Sequence, residues 1–105
     1  MSAQIIHVVL VRWAATAAPD VVARFDAAAR AVRETIPGVL EVVHGPSVSV
    51  EHLEQGFDHA LHVRFADAAA RDEYLPHPAH GPLAELITAN AETFVVFDLA
   101  VDGPR

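Results

Sequence analysis

One short segment of the chain concentrates residue types that could transfer protons. In DEYLPHPAHGPLAELI, residues 72–87, Tyr74 precedes two histidines, His77 and His80, and three prolines interrupt the helical pattern. An imidazole titrates near neutral pH, so a histidine held in a fixed direction can act as a general base. The segment therefore predicts a small-molecule site in which the prolines set the direction of the imidazoles.

The prolines predict a stiff loop between two helices. The first two disfavour helical geometry at the residues before them, and Pro82 suits the first position of the next helix, with Gly81 or His80 as its cap. His77 and His80 would then lie beside a helix N-terminus. Its partial positive charge tends to keep a nearby imidazole neutral and favours an anionic or enolate-like ligand atom.

The elements that must position this loop follow the order strand, helix, strand, strand, helix, strand. That order is typical of an α+β, ferredoxin-like βαββαβ protomer, with a four-stranded antiparallel sheet and its helices on one face. Hydrophobic periodicity and turn residues give the bounds. The predicted elements are strands at 4–13, at 39–45 with a continuation into 47–50, at 56–65 and at 93–101, and helices from Pro19 and Asp20 to Pro37, from Asp67 to residue 75 and from Pro82 to residue 90.

The first and last strands are apolar on both faces. Helices on one side of a sheet can bury only one face, so the other face must pack against a second sheet or stay exposed at a large hydrophobic cost. We therefore expect a homodimer closed sheet to sheet, a dimeric α/β barrel. The two faces of the first strand are Ile5, Val9, Val11 and Trp13 on one and Ile6, Val8 and Leu10 on the other; those of the last strand are Val95, Phe97, Leu99 and Val101 on one and Phe94, Val96 and Ala100 on the other.

Strand parity adds two histidines to the predicted site. His7 and His59 lie on the apolar faces of the first and third strands, which are neighbours in a ferredoxin-like sheet. Both would project under the helices, where Tyr74 and His80 close the space from above. An apolar cavity with a few polar groups is the usual makeup of a small-molecule site. The expected apolar lining is Phe25, Leu83 and Leu86.

Composition excludes several classes of function. At 105 residues the chain is the size of one domain, and we expect residues 1–105 to form one. The absence of cysteine removes disulfides, thiolate metal sites and a cysteine nucleophile. The net charge is -7 and the arginines are scattered, so nucleic acid is not an expected partner. The apolar N-terminal run lacks a basic segment before it and is too short to span a bilayer, so we expect a cytoplasmic protein without a membrane partner.

The sequence does not predict a dedicated metal site. The HPAH spacing resembles a metal pair, but Pro78 spoils a helical face for the two imidazoles and no further ligands are evident. His44, His52 and His62 are expected in loops or on the opposite face of the sheet, with structural roles.

Four stretches together resemble the stress-responsive dimeric α/β barrel (Dabb) domains. They are IIHVVLVRW, IPGVLEVVHG, GFDHALHVRFADAAARDEYLPHPAH and FVVFDL, and the specific part is Y..HPAH following F.H...V.F. The resemblance covers nearly the whole chain. It implies a ferredoxin-like protomer that pairs sheet to sheet.

Within that family, the polar residues are similar to those of polyketide cyclases. The resemblance implies cofactor-independent catalysis in which His80 is the general base and Tyr74 hydrogen-bonds the developing oxyanion or steers His80. It also implies that His7 and His59 position a small carbonyl or phenolic substrate. Two alternatives stay open: a stress-associated protein that binds a small molecule without turnover, and a cofactor-independent monooxygenase that requires dioxygen.

Overall fold

Three helices lie on one face of a four-stranded antiparallel sheet, as predicted. The structure, a computed structural model, describes residues 3–102. Its elements are β1 Gln4–Trp13, α1 Val21–Thr35, β2 Val39–Pro46, β3 His59–Phe65, α2 Ala68–Tyr74, α3 His80–Asn90 and β4 Ala91–Val101.

The strand order β2-β3-β1-β4 makes β1 and β3 the central strands. β1 pairs with both neighbours so that His7 lies opposite Val63 of β3 and opposite Asp98 of β4. Alternate residues of β1 and β3 are buried against the helices, because successive side chains of a strand point to opposite faces. The prediction that the first and third strands are neighbours is confirmed.

The core lies between this inner face and the helices. Apolar residues of α1 recur at three- and four-residue spacing, which places Phe25 and Val32 fully inside. α1 ends at Thr35 with Ile36 as its C-cap, just before Pro37 and Gly38, the two residues that were predicted to end it. The fully buried large side chains are Phe25, Val32, Val11, Leu61, Val63, Phe65, Tyr74 and Leu83.

Gly38 joins α1 to β2 at a tight position. Its φ is +84°, which is unfavourable for a residue with a Cβ atom. A Cβ atom at this position would also lie 2.5 Å from the Cβ of Ala70 in α2. Glycine therefore allows the chain to turn while α2 packs close to the turn.

The break between α2 and α3 differs in detail from the prediction. Asp67 caps α2 as expected, with its side chain accepting a 2.8 Å hydrogen bond from the backbone N–H of Ala70. α3 begins at His80 with Ala79 as its cap, so the prediction that Pro82 opens the helix is wrong by two residues. Pro82 is tolerated there because N–H groups of the first turn have no acceptor within the helix.

Two strand boundaries were predicted too generously. β2 ends at Pro46, since proline cannot donate to the strand ladder, and residues 47–50 do not continue it. β3 begins at His59 instead of Gly56, which has a φ of +88°. The N–H of Phe57 donates to the carbonyl of Glu54 in a turn before the strand.

The outer face of the sheet, opposite the helices, is apolar around β1 and β4. Phe97 is 63% exposed, and Val95 and Leu99 are also exposed on this face of β4. These residues form an uncovered apolar patch in one protomer.

Within residues 3–102, no helix has the length and hydrophobicity needed to cross a membrane.

Candidate functional site

A cavity of about 180 Å³ opens between the helices α2 and α3 and the inner face of the sheet. Its polar groups are His7, Tyr74 and His80, and its walls are otherwise mostly apolar. Such a combination suits a small, largely apolar ligand that is oriented by a few polar contacts. The other lining residues are Val9, Leu61, Leu75, Leu83, Ala84, Ile87, Thr88, Phe94 and Val96.

One ring nitrogen of His80 forms a hydrogen bond with the backbone, and the other is available to a ligand. Its Nδ1 lies 2.9 Å from the carbonyl oxygen of Leu75. Because a carbonyl only accepts, Nδ1 carries the hydrogen, and Nε2 of the neutral ring keeps a free lone pair. Burial lowers the pKa of His80, and the nearby His7 lowers it further, while the bond to Leu75 opposes this change. His80 is therefore suited to act as an unprotonated base near neutral pH.

Tyr74 lies between the two cavity imidazoles. Its ring centroid is 4.3 Å from that of His80 and 5.7 Å from that of His7. Burial raises the pKa of the Tyr74 phenol well above its usual value, and the negative charge of Asp98 adds to this effect. Tyr74 therefore stays a neutral phenol that can donate a hydrogen bond.

His7 is fixed by a carboxylate on the neighbouring strand. Its Nδ1 donates to Oδ1 of Asp98 at 2.6 Å, and Oδ2 of Asp98 accepts from Nη1 of Arg71 at 3.2 Å. The strand register explains the first contact, because His7 and Asp98 are directly opposite each other. Asp98 was not among the residues predicted from the sequence, although it shares a face of β4 with Phe94 and Val96 and strand parity could have identified it.

His59 lies outside this cavity. His59 and His7 share the inner face, but His59 pairs with Val11 and His7 pairs with Val63, four residues further along each strand. The prediction that both project into one space is therefore wrong, because parity fixes the face and not the position along it.

The three residues predicted to form the apolar lining lie in different places. Leu83 lines the cavity, as expected. Phe25 is fully buried beside His59, with ring centroids 5.3 Å apart. Leu86 faces a separate, more open groove between α1 and α3, together with Asn90. The larger groove contains no imidazole, so we assign the candidate site to the smaller cavity.

The second histidine of the loop has a local role. Nδ1 of His77 accepts a 3.0 Å hydrogen bond from the N–H of Ala79, which helps to shape the turn before α3. Within residues 3–102, no group of three or more histidine, aspartate or glutamate side chains is arranged to hold a metal ion.

His44 links helix α1 to strand β3. It contacts both Asp26 of α1 and His59 of β3 through its two ring nitrogens. The expectation of an isolated loop or outer-face position is wrong, because β2 turns Val42 and His44 toward the helices and both are partly buried. Strand alternation along VLEVVHG could have indicated this position, because His44 lies two residues after Val42 and therefore on the same face.

Two curated plant proteins match parts of the chain. The stress-response A/B barrel domain-containing protein HS1 of Arabidopsis thaliana is 35% identical over 54 residues, which cover 51% of this chain and 50% of HS1. Olivetolic acid cyclase of Cannabis sativa is 29% identical over 63 residues, which cover 60% of this chain and 62% of the cyclase. The chain thus spans about half to three fifths of these curated relatives.

Solved structures match nearly the whole chain. The hydroxynitrile lyase of Passiflora edulis has a TM-score of 0.86 at 19% identity, covering 100% of this chain and 99% of the lyase. A dimeric ferredoxin-like protein of Jannaschia sp. CCS1 has a TM-score of 0.79 at 24% identity, covering 93% and 99%. At these identities the likeness establishes the fold. The sequence profile of the Stress responsive A/B Barrel Domain matches residues 5–101, and the chain therefore belongs to the Dabb family.

Proposed function

We propose that the cavity catalyses proton transfer at a carbon atom beside a carbonyl group of a small compound, without a cofactor. The observation that supports this most strongly is the hydrogen bond from Nδ1 of His80 to Leu75, which leaves Nε2 as a free base beside the Tyr74 phenol. The match to olivetolic acid cyclase supports a catalytic role for the cavity, and a hydroxynitrile lyase shares the fold.

The proposed step transfers one proton and forms one enolate. Nε2 of His80 removes the proton from carbon, the C–H electron pair moves into the carbonyl system, and the negative charge develops on oxygen. A neutral Tyr74 phenol would stabilise that oxygen by donating a hydrogen bond. His7, held by Asp98, would orient the substrate through its second ring nitrogen. The enolate can then attack a second carbonyl carbon of the same molecule and close a ring, and the proton held by His80 neutralises the new alkoxide.

The cavity limits the substrate to a small molecule. A volume of about 180 Å³ lies below the roughly 300–1,000 Å³ of typical drug-sized pockets. Its walls are mainly aliphatic, with Phe94 at the sheet edge. We therefore propose a substrate class of single-ring or short-chain carbonyl compounds. His59, Phe25 and Leu86 remain predicted substrate contacts only for ligands that extend beyond this cavity.

We also propose that the active form is a cytoplasmic homodimer of single-domain protomers. The uncovered apolar patch on the outer face needs a partner, and structural neighbours from Jannaschia and Thermobifida fusca are described as dimeric. A chain without cysteine suits a reducing compartment. Helices cover the inner face, so pairing through the outer face would leave each cavity within its own protomer.

Deuterium uptake tests the proposed reaction and does not require its product to be identified. The protein is incubated in D₂O with a panel of aryl methyl ketones and short β-diketones, and exchange at the carbon beside the carbonyl is followed by NMR. We expect accelerated exchange for at least one compound. The variant Ala84→Phe should abolish the acceleration, because Ala84 lines the cavity. The variant Ala89→Phe is the matched control, because this residue of the same helix lines the separate groove.

Binding without exchange would contradict the catalytic proposal. Compounds that raise the melting temperature of the wild type but not of Ala84→Phe, and that exchange no faster than in buffer, would identify a ligand-binding protein. Product formation that requires dioxygen would instead identify a monooxygenase.

A further inference from the structure

A second chain of titratable side chains lies away from the cavity, where α1 crosses β2 and β3. Nε2 of His44 is 2.9 Å from Oδ1 of Asp26, and Nδ1 of His44 is 3.0 Å from Nε2 of His59. Exposure decreases along this chain: the side chains of Asp26 and His44 are 44% and 13% exposed, and His59 is 4% exposed. The Asp26–His44–His59 chain therefore leads from the surface into the core.

The hydrogen bonds define how many protons this chain can hold. The Asp26 carboxylate accepts, so Nε2 of His44 carries a hydrogen. One further hydrogen lies between the facing nitrogens: when both rings are neutral Nε2 of His59 donates it to Nδ1 of His44, and when one ring is protonated it can belong to either ring. With both imidazoles neutral, or with one of them protonated, every bond in the chain is kept. With both protonated, two N–H groups face each other and the bond between the imidazoles is lost.

The surroundings favour a single shared proton over two. Phe25 of α1 and Trp13 of β1 pack against His59, with ring centroids 5.3 and 5.7 Å away. Burial lowers the pKa of His59 and the proximity of His44 lowers it further, while Asp58 at the start of β3 opposes this change.

The outer end of the chain stays negatively charged. Nε of Arg30, one turn further along α1, donates to Asp26 at 2.7 Å. Hydrogen bonds from Arg30 and His44 lower the pKa of the Asp26 carboxyl group. Asp26 in turn raises the pKa of Arg30, and the negative charge of Glu34 on the same helix also raises it. The carboxylate therefore remains available to accept from His44 at mildly acidic pH.

We propose that the Asp26–His44–His59 chain is an acid-sensitive latch that holds α1 on β2 and β3. At neutral pH both hydrogen bonds of the Asp26–His44–His59 chain are formed, and its two imidazoles carry at most one proton more than two neutral rings do. Uptake of a second proton breaks the bond between the imidazoles, and the tie between the sheet and α1 weakens. This device is separate from the catalytic cavity, so it does not depend on the function proposed above.

The direction of the pH effect follows from proton counting. In the unfolded protein the imidazole of His59 takes up a proton near its usual pKa of 6.5, whereas in the folded protein burial and the proximity of His44 keep it unprotonated to a lower pH. The unfolded state then binds more protons, so stability falls as pH drops below 6.5 toward the lowered pKa of His59. One excess proton raises the unfolding equilibrium constant about tenfold for each pH unit within that window.

Urea unfolding at fixed protein concentration tests this proposal. Wild type, His59→Phe and the control His52→Asn are unfolded at pH values from about 7.5 to about 4.5. His59→Phe keeps an aromatic ring beside Phe25 but removes the buried imidazole whose pKa is lowered. We expect it to remove about one tenfold step per pH unit from the acid dependence, and the loop variant to remove none. His80, whose lowered pKa acts in the same direction, is present in all three proteins, so its effect cancels.

Side-chain ¹⁵N NMR of the wild type gives an independent test if His59→Phe does not fold. The imidazole of His59 should accept its second proton only below pH 6.5, and the coupling across the N–H···N bond should disappear over the same range. Titration of His59 at 6.5 or above, or a His59→Phe variant with the acid dependence of wild type, would overturn the proposal.

Discussion

At the scale of single residues, the protonation states of two side chains and one hydrogen bond define the site. His80 is a neutral base because its burial disfavours the imidazolium form, and Tyr74 is a neutral donor because its burial disfavours the phenolate. Asp98 fixes the orientation of His7 from the next strand. One apolar cavity thus combines a base and a hydrogen-bond donor.

The pH dependence of exchange should follow the protonation of His80. Because only the unprotonated imidazole can remove a proton, the exchange rate should fall as pH decreases through the pKa of His80. That pKa is lowered, so the midpoint should lie below the usual value of 6.5. Rates measured across the acid range on an exchanging compound check this expectation. A midpoint above 6.5 would mean that another group controls the reaction.

At the scale of elements, the break between α2 and α3 positions both side chains that we propose to be catalytic. α2 ends at Tyr74, the carbonyl of Leu75 orients His80, and α3 begins at His80. The prolines predicted this interruption, because each restricts the residue before it. The exact start of α3 could not be predicted, since proline is acceptable at several positions of a first turn.

The composition of the site was less predictable than its elements. Alternation placed His7 and His59 on the correct face, but their separation depends on the pairing of β1 with β3, in which each histidine lies opposite a valine. Single-strand patterns do not contain that register. The contacts of His44 and Asp98 likewise join distant parts of the chain, and they become visible only when the strands and α1 are assembled.

Gly38 tests how the turn after α1 supports α2. Gly38→Ala should lower the free energy of unfolding by about 1–3 kcal/mol, because a Cβ atom would be strained at φ +84° and would clash with Ala70. Urea denaturation measures this change. The control Gly81→Ala adds a Cβ atom in α3 where no neighbour lies within 4 Å, so it should not destabilise the protein. Equal stability of the two variants would contradict this explanation of the turn.

At the scale of the whole molecule, the apolar outer face accounts for the proposed dimer. Phe97→Asp places a charge in the middle of this face, where dimer formation would bury it without a partner. Sedimentation should give about twice the 11.3 kDa chain mass for wild type and the chain mass for the variant. Val22→Asp, at a similarly exposed apolar residue on α1, should remain dimeric. A monomeric wild type would contradict the proposed assembly.

The central claim is that His80 removes a proton within the cavity. The most direct measurement compares deuterium exchange by wild type, His80→Gln and His77→Gln on one exchanging compound. His77 is the matched control because it belongs to the same loop but does not line the cavity. A general base contributes about 10²–10⁴-fold, so His80→Gln should lose acceleration on that scale, while His77→Gln retains it. Exchange by folded His80→Gln at the wild-type rate would contradict the claim.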